Sequence, residues 1–285
     1  MMKRFAVLLL GVGLLVPAAA WAASKAGLVI ENSTGEVITR CVEFEEESIT
    51  VLDLLQRSGF KLVTGEESGE SRVCYLHDDG RSDCTSIPGG LIWSGYQHSG
   101  TDWTSLSLGV SSDMATDGVL FGFVCEPGGL PPTARRKPPA RSFADVCDVV
   151  SKAGLVIDHS DGARLVKVIE FPGETITGWQ LLQRSGLDIT SSDFGFGIAI
   201  CAIDGEGMPA ENCFGDPEGR FWNFNILLSD GTWVSSWVGA SDTIVYDGDA
   251  HGYLYGVWGV VQPAIEITEI FGQTSDVSFW KSYAR

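Results

Sequence analysis

Positive charge is scarce in this chain: 19 Lys and Arg face 37 Asp and Glu over 285 residues, a formal net charge of -18. A chain this acidic repels the phosphate backbone of nucleic acids and anionic lipid surfaces, which excludes both as partners. Histidine is scarce too. The four, at positions 77, 98, 159 and 251, include none in a zinc-protease helix motif, and neither a G-x-S-x-G elbow nor a phosphate-binding loop is present. The sequence therefore offers no catalytic residue, no metal-ligand set and no recognisable cofactor motif, and an enzyme is not expected. Asp247 and Asp249 in "YDGDAHG" supply two carboxylates where calcium wants six or more oxygens. "LHDDG", with His77, Asp78 and Asp79, reads as a solvated turn, because the second half of the chain has "IDGEG" there and lacks the histidine. Long apolar runs are also missing. Nothing beyond the N-terminal segment approaches the ~18 residues of a membrane helix, so no transmembrane anchor is expected.

What is present begins with an address. Lys3 and Arg4 precede an apolar run from Phe5 to Val16, and Pro17 leads into "AAAWA", where Ala20 and Ala22 fit a small-x-small cleavage rule. Residues 1–22 read as a signal peptide, and the product is expected to be extracytoplasmic, secreted or periplasmic. The hydrophobic content of 44% can supply a core for each of two domains.

Those two domains are written as a duplication. "SKAGLVIENSTGEVITRCVEFEEESITVLDLLQRSG" (24–59) returns as "SKAGLVIDHSDGARLVKVIEFPGETITGWQLLQRSG" (151–186) at an offset of 127, without a gap and with twenty of thirty-six positions identical. The expected boundaries are repeat domain 1 at 24–130, a Pro-rich basic linker at 131–150, repeat domain 2 at 151–268 and a tail at 269–285. Prolines 131, 132, 138 and 139 make the linker stiff and extended, outside either core.

Each repeat reads as a hairpin followed by a short helix. Turns at Ser33 to Gly35 and at Ser160 to Gly162 separate β-rich runs. Thr50 with Asp53, and Thr177 with Gln180, then place capping residues just ahead of "LLQRSG". Leu54, Leu55, Leu181 and Leu182 are expected to turn inward, with Gly59 and Gly186 ending the helices. The remainder is short β runs, so the expected fold class is α+β: a mostly antiparallel sheet with one short helix in each domain.

Seven cysteines match the exported address. Cys74 maps onto Cys201 at the same offset, and each has a nearby partner, Cys84 and Cys213, across a polar Gly-bearing insert. Two hairpin disulfides follow, each contributing about 3 kcal/mol by loop closure. Cys41 and Cys125 have no counterpart in the second copy and are expected to form a third pair, leaving Cys147 odd.

The aromatic residues supply the candidate site. Alternation places Trp222 and Phe224 on one face of a strand and Phe221 and Asn223 on the other. Trp222, Phe224, Trp233, Trp237, Tyr96 and Trp103 are the candidate ligand-binding residues; core packing accounts for most rings, and a surplus lining a groove suits a flat, weakly polar ligand.

The stretch "FWNFNILLSDGTWVSSWVGASDTIVYDGDAHGYLYG" (221–256), and its looser version "LIWSGYQHSGTDWTSLSLGVSSDMATDGVLFGF" with Tyr96 and His98 where the second copy has Asn225 and Leu227, resembles the C-terminal β-domain of transcobalamin and intrinsic factor. The resemblance implies two tandem β-grasp-like modules and, as ligand, a corrinoid or another large flat molecule. In the vitamin carriers the module closes over cobalamin together with an all-helical domain that this chain lacks, so no cobalt ligand is carried over. Two classes of function result: a small-ligand-binding protein, or a disulfide-pinned surface or adhesion module with a cell-surface partner. Exposed Trp222, Trp233 or Trp237 on a concave patch would mark the first; burial of these rings would mark the second.

Overall fold

A computed structural model of the chain describes residues 23–67, 69–84, 89–106, 109–195 and 197–272. The expected signal peptide and the tail beyond 272 lie outside the described residues.

The first repeat runs β1 (Ser24–Glu31), β2 (Val37–Phe44), β3 (Ser48–Thr50), α1 (Val51–Arg57), β4 (Leu62–Glu67), β5 (Glu70–Leu76), β6 (Asp79–Gly80), β7 (Leu91–His98), β8 (Trp103–Ser105), β9 (Met114–Thr116) and β10 (Val119–Pro127), followed by α2 (Phe143–Cys147). The second repeats the order: β11 (Val150–Asp158), β12 (Arg164–Pro172), β13 (Thr175–Thr177), α3 (Gly178–Arg184), β14 (Ile189–Asp193), β15 (Ile198–Ile203), β16 (Glu206–Gly207), β17 (Phe221–Leu227), β18 (Trp233–Ser235), β19 (Ile244–Tyr246) and β20 (Ala250–Gly256), followed by α4 (Ile267–Phe271). Each builds a five-stranded sheet, β2-β1-β10-β7-β8 or β12-β11-β20-β17-β18, with a parallel central pair.

This architecture corrects the expected fold class. The chain is mostly β, with 46% strand and 12% helix; beside the two five-stranded sheets, four small antiparallel sheets, β3-β9, β4-β5-β6, β13-β19 and β14-β15-β16, are arranged like the blades of a four-bladed β-propeller, not as two β-grasp domains. The parallel pairs belong to the five-stranded sheets and not to these four. The reason for the low helix content is dimensional. A seven-residue helix is about 10 Å long, whereas five strands span roughly 20 Å, so α1 and α3 cannot cover a sheet face and strands complete the packing.

The local features of the sequence behave as read. Thr50 Oγ1 accepts from the Asp53 amide and Thr177 Oγ1 from the Gln180 amide, each as half of a capping box. Leu54, Leu55, Leu181 and Leu182 are buried, and Gly59 and Gly186 adopt the positive φ that ends each helix. The run "AGLVI" is continuously apolar because its strand is buried on both faces. Ala26, Leu28 and Ile30 enter one core cluster and Val29 another; Ala153, Leu155, Ile157 and Val156 do the same in the second repeat.

Residues 131–150 do more than join the repeats. Pro138 is buried, and Val146 and Cys147 enter the core cluster on the outer face of the first sheet. The segment after β20 serves the second sheet in the same way, through Ile265 and Ile270. Gly27 and Gly154 permit this approach: a Cβ at Gly27 would lie 2.9 Å from Val146 Cγ1, and one at Gly154 2.4 Å from Ile270 Cγ2.

Three disulfides are present, an arrangement that fits an oxidising, extracytoplasmic environment. Cys74–Cys84 and Cys201–Cys213 form as expected. The third joins Cys41 to Cys147, and Cys125 is a buried free thiol. The expected Cys41–Cys125 pair fails because β1 separates β2 from β10. Two strand spacings are about 10 Å, beyond the ~7 Å between Cα atoms that a disulfide spans. Burial and the neighbouring Asp79 push the Cys125 thiol up to about 12.

The two repeats meet along one seam. The Thr175 hydroxyl donates to the Thr39 carbonyl (2.7 Å), and the Thr39 hydroxyl to Glu174 (2.6 Å). Arg40, fully buried, lies over the Phe60 ring and donates to Gln180 Oε1 at 3.3 Å. Gln180 Nε2 donates to the Arg57 carbonyl at 3.0 Å, and Arg184 pairs with Glu43 at 2.8 Å. Burial lowers the Arg40 pKa to about 9, leaving the guanidinium charged at neutral pH.

One turn differs between the repeats in a way that titrates. Asp117 and Asp247 both accept a backbone N–H from the first strand of their repeat, Lys25 and Lys152 respectively. Two residues on, the first repeat has Val119 and the second Asp249. Burial in this apolar position raises the Asp249 pKa to about 6, partly opposed by the Tyr246 amide. A folded pKa above the unfolded value means that its stabilising contribution is complete below about pH 4 and is lost as pH rises through 6. Asp249→Asn is therefore expected to raise the unfolding free energy at pH 7 by on the order of 2 kcal/mol and to leave it unchanged at about pH 3, as urea titrations at the two pH values would show.

Candidate functional site

The candidate site is a groove on the second repeat, built from β15, β17 and the loop after β18. Strand alternation puts Trp222 and Phe224 inward, where both pack against the main core of that repeat. Trp222 is 5% exposed; its indole N–H donates to the Glu206 carbonyl (3.0 Å), and its ring lies against Tyr255 and His159. Trp233 is buried against the outer face of the sheet with Leu227 and Ile265. Tyr96 and Trp103 hold the corresponding outer face of the first sheet and are buried as well. Of the six rings singled out from the sequence, Trp237 stands in solvent, 97% exposed.

Other aromatic residues join it. Phe194, Phe214 and Trp258 are exposed, Trp258 by 80%. Ring centroids step from Phe194 to Phe214 (5.6 Å), to Phe221 (6.3 Å), to Trp258 (5.8 Å), a continuous apolar ladder. Beside it opens a cavity of about 240 Å³, bounded by Phe221, Phe224, Trp237, Tyr253 and Trp258 with Ser235 and Ser236. Phe221 was legible as lying on the face opposite Trp222. Phe194 and Phe214 lie in loops, where no periodicity marks a face.

Two ionisable groups pack behind rings of the groove, Tyr255 against Trp222 and His251 against Phe224. The Tyr255 hydroxyl donates to Asp216 (3.0 Å) and Arg220 pairs with the same carboxylate (3.2 Å) while lying over the Tyr255 ring. Burial alone would raise Asp216, but hydrogen bonds from Arg220, Glu218 and Tyr255 outweigh it and bring its pKa down to about 2. Burial and that carboxylate push Tyr255 up to about 12. Burial raises Tyr253 and lowers His251 to about 3, so both are neutral. The Tyr253 hydroxyl is buried and has no hydrogen-bond partner among the described residues.

The first repeat does not reproduce this. Gly95 takes the place of Phe224, and Leu106 fills the space: a Cβ at Gly95 would lie 2.7 Å from Leu106 Cδ1. Its corresponding cavity, about 200 Å³, is bounded by Arg72, Ser94, Ser105 and Arg135 and carries no ring ladder. A larger hollow of about 450 Å³ lies between His98, Leu120, Arg141 and Phe143, on the far side of the sheet. Among the described residues no three His, Cys, Asp or Glu are grouped to hold a metal ion, and no helix is long and apolar enough to cross a membrane.

Comparison with known proteins adds little to this. The chain matches no family model and no curated protein. Among solved structures, it is similar to the crystal structure of a "putative metal binding protein" from Ruminococcus gnavus ATCC 29149, at 19% identity over 38% of this chain and 97% of that one, with a TM-score of 0.28. A likeness that low carries no functional argument.

Proposed function

We propose that the protein is a secreted or periplasmic binding protein whose second repeat holds the flat, apolar part of a small ligand in the aromatic groove. The observation that carries this reading is the ring ladder from Phe194 to Trp258 beside a cavity that the exposed Trp237 also borders. Apolar surface left open costs solvation, and a ligand that covers the exposed rings relieves it. At about 240 Å³ the cavity is smaller than the ~300–1,000 Å³ of sites that enclose a drug-sized molecule, so it takes one edge or ring. A corrinoid would lie across the mouth rather than inside.

The test is quenching of tryptophan fluorescence, with cobalamin and a panel of flat aromatic metabolites as titrants. Saturable quenching is expected from a ligand of this class, lost in Trp237→Ala and Trp258→Ala because those rings supply the contact surface. Burial of Trp222, Trp233, Tyr96 and Trp103 favours the second reading, a surface module without a small ligand. Flat titrations across the whole panel would leave that reading standing.

A further inference from the structure

The duplication supplies both halves of the seam twice, and the chain uses each half once. In the first repeat the β2 face and the C-terminal end of α1 are covered: Thr39, Arg40 and Cys41 are buried, and a Cβ at Gly59 would lie 2.7 Å from Thr177. In the second repeat the same face is open. Val168, in the place of Cys41, is 40% exposed, and a Cβ at Gly186, in the place of Gly59, would meet nothing within 4 Å. The other half behaves in reverse. All three residues of β13 are buried under the first repeat, whereas the ends of β3, Ser48 and Thr50, are only partly buried.

We infer that these two unused halves are complementary and that the protein assembles head to tail with a second copy of itself, the β12 face of one molecule docking on the β3–α1 corner of the next. Part of the chemistry of the in-chain seam recurs at the free ends. Glu47, Ser48, Thr50 and Arg57 stand where Glu174, Thr175, Thr177 and Arg184 stand, and Glu170 stands where Glu43 does. Ser48 can donate to the Val166 carbonyl as Thr175 donates to Thr39, and Arg57 can reach Glu170 as Arg184 reaches Glu43. The Arg40–Gln180 contact changes in kind but stays matched: Lys167 replaces the arginine and Asp53 the glutamine, a pair of opposite charges. Lys167, Arg57 and Glu170 must give up their present partners, the Ser185 carbonyl, Glu46 and Lys152, and the two exposed ion pairs among these are worth little.

One corner differs. Gly173, where a Cβ would lie 3.0 Å from Cys41 Cβ, is matched by Glu46 in the first repeat, so contact between molecules is looser and weaker than within the chain. Such a contact joins two different patches, so it repeats head to tail, as a ring of several copies where the rotation between them closes and as an open series where it does not. Nothing in it involves the aromatic groove, and it stands independently of the ligand reading.

Sedimentation velocity on the oxidised protein, from sub-micromolar to near-millimolar concentration, tests it. The mean mass is expected to rise past that of a dimer. Lys167→Asp and Asp53→Lys should each weaken assembly by about tenfold or more through like-charge contact. An equimolar mixture of the two should recover it, since each junction then again joins lysine to aspartate. Val168→Asp is the second probe of the open face, because Asp53 also serves the α1 cap, and thermal unfolding checks that each variant stays folded. A monomer at all concentrations, a closed dimer, or assembly that none of the three substitutions affects would overturn the inference.

Discussion

Replacing Cys41 and Cys147 together with alanine is expected to lower the unfolding free energy by about 5 kcal/mol, the largest effect of any disulfide in the molecule. The two cysteines are 106 residues apart, whereas Cys74 and Cys84 are 10 apart and Cys201 and Cys213 are 12 apart. On the loop-closure estimate the short rings contribute about 3 kcal/mol each, because fewer unfolded conformations are lost by joining near neighbours. The long bridge also has a local task. It fastens α2 to β2 beside the seam, so its loss frees Val146 from Gly27 and opens the outer face of the first sheet. Urea unfolding under non-reducing conditions should rank the Cys41/Cys147 double variant well below the Cys74/Cys84 double variant. Equal losses, or the reverse order, would show that the loop between β2 and α2 is already constrained in the unfolded chain.

Gly207→Ala is the second large effect, and its neighbour Gly205 is the control. Gly207 adopts φ +127, and a Cβ there would lie 2.1 Å from the Cys201 carbonyl oxygen, a backbone atom that cannot step aside. Gly205, at φ +82, has nothing within 4 Å of its Cβ direction. Backbone strain applies at both positions, but overpacking applies at one, so losses of roughly 3–5 kcal/mol at Gly207 and about 1 kcal/mol at Gly205 are expected. The turn carrying Gly207 also presents the Glu206 carbonyl to the Trp222 indole. Displacing it should shift the tryptophan emission in Gly207→Ala and not in Gly205→Ala. Equal stability of the two variants would mean that the β15–β16 turn relaxes around an added methyl group.

The features read correctly from the sequence share a short range. A capping box spans three residues, a hairpin turn a handful, and the two small disulfide rings close over polar inserts that bend back on themselves. Each is decided by chemistry within one stretch of chain, so "TVLDLLQRSG" and "TGWQLLQRSG" reveal the same helix wherever they sit. The third disulfide was misread because counting unmatched cysteines says nothing about strand order, and it is β1, lying between β2 and β10, that keeps Cys125 out of reach of Cys41.

The groove shows the same division. Aromatic excess in the second repeat was plain, and so was the shared face of Trp222 and Phe224. Burial of Trp222, Trp233, Tyr96 and Trp103, and exposure of Trp237, Trp258 and Phe214, depend on what lies across from each ring. That neighbour is a strand or loop tens of residues away.

The sequence by itself determined the duplication, the caps, the turns and the two hairpin rings, since each follows from bonding preferences among near neighbours. Tertiary structure alone decided that α2 covers the outer face of the first sheet, that Cys41 finds Cys147, and that two similar repeats end with one face covered and its counterpart open. Two copies of one surface in a single chain cannot both meet the same partner, so packing carries further an asymmetry that a few residues, such as Cys41 against Val168, already begin.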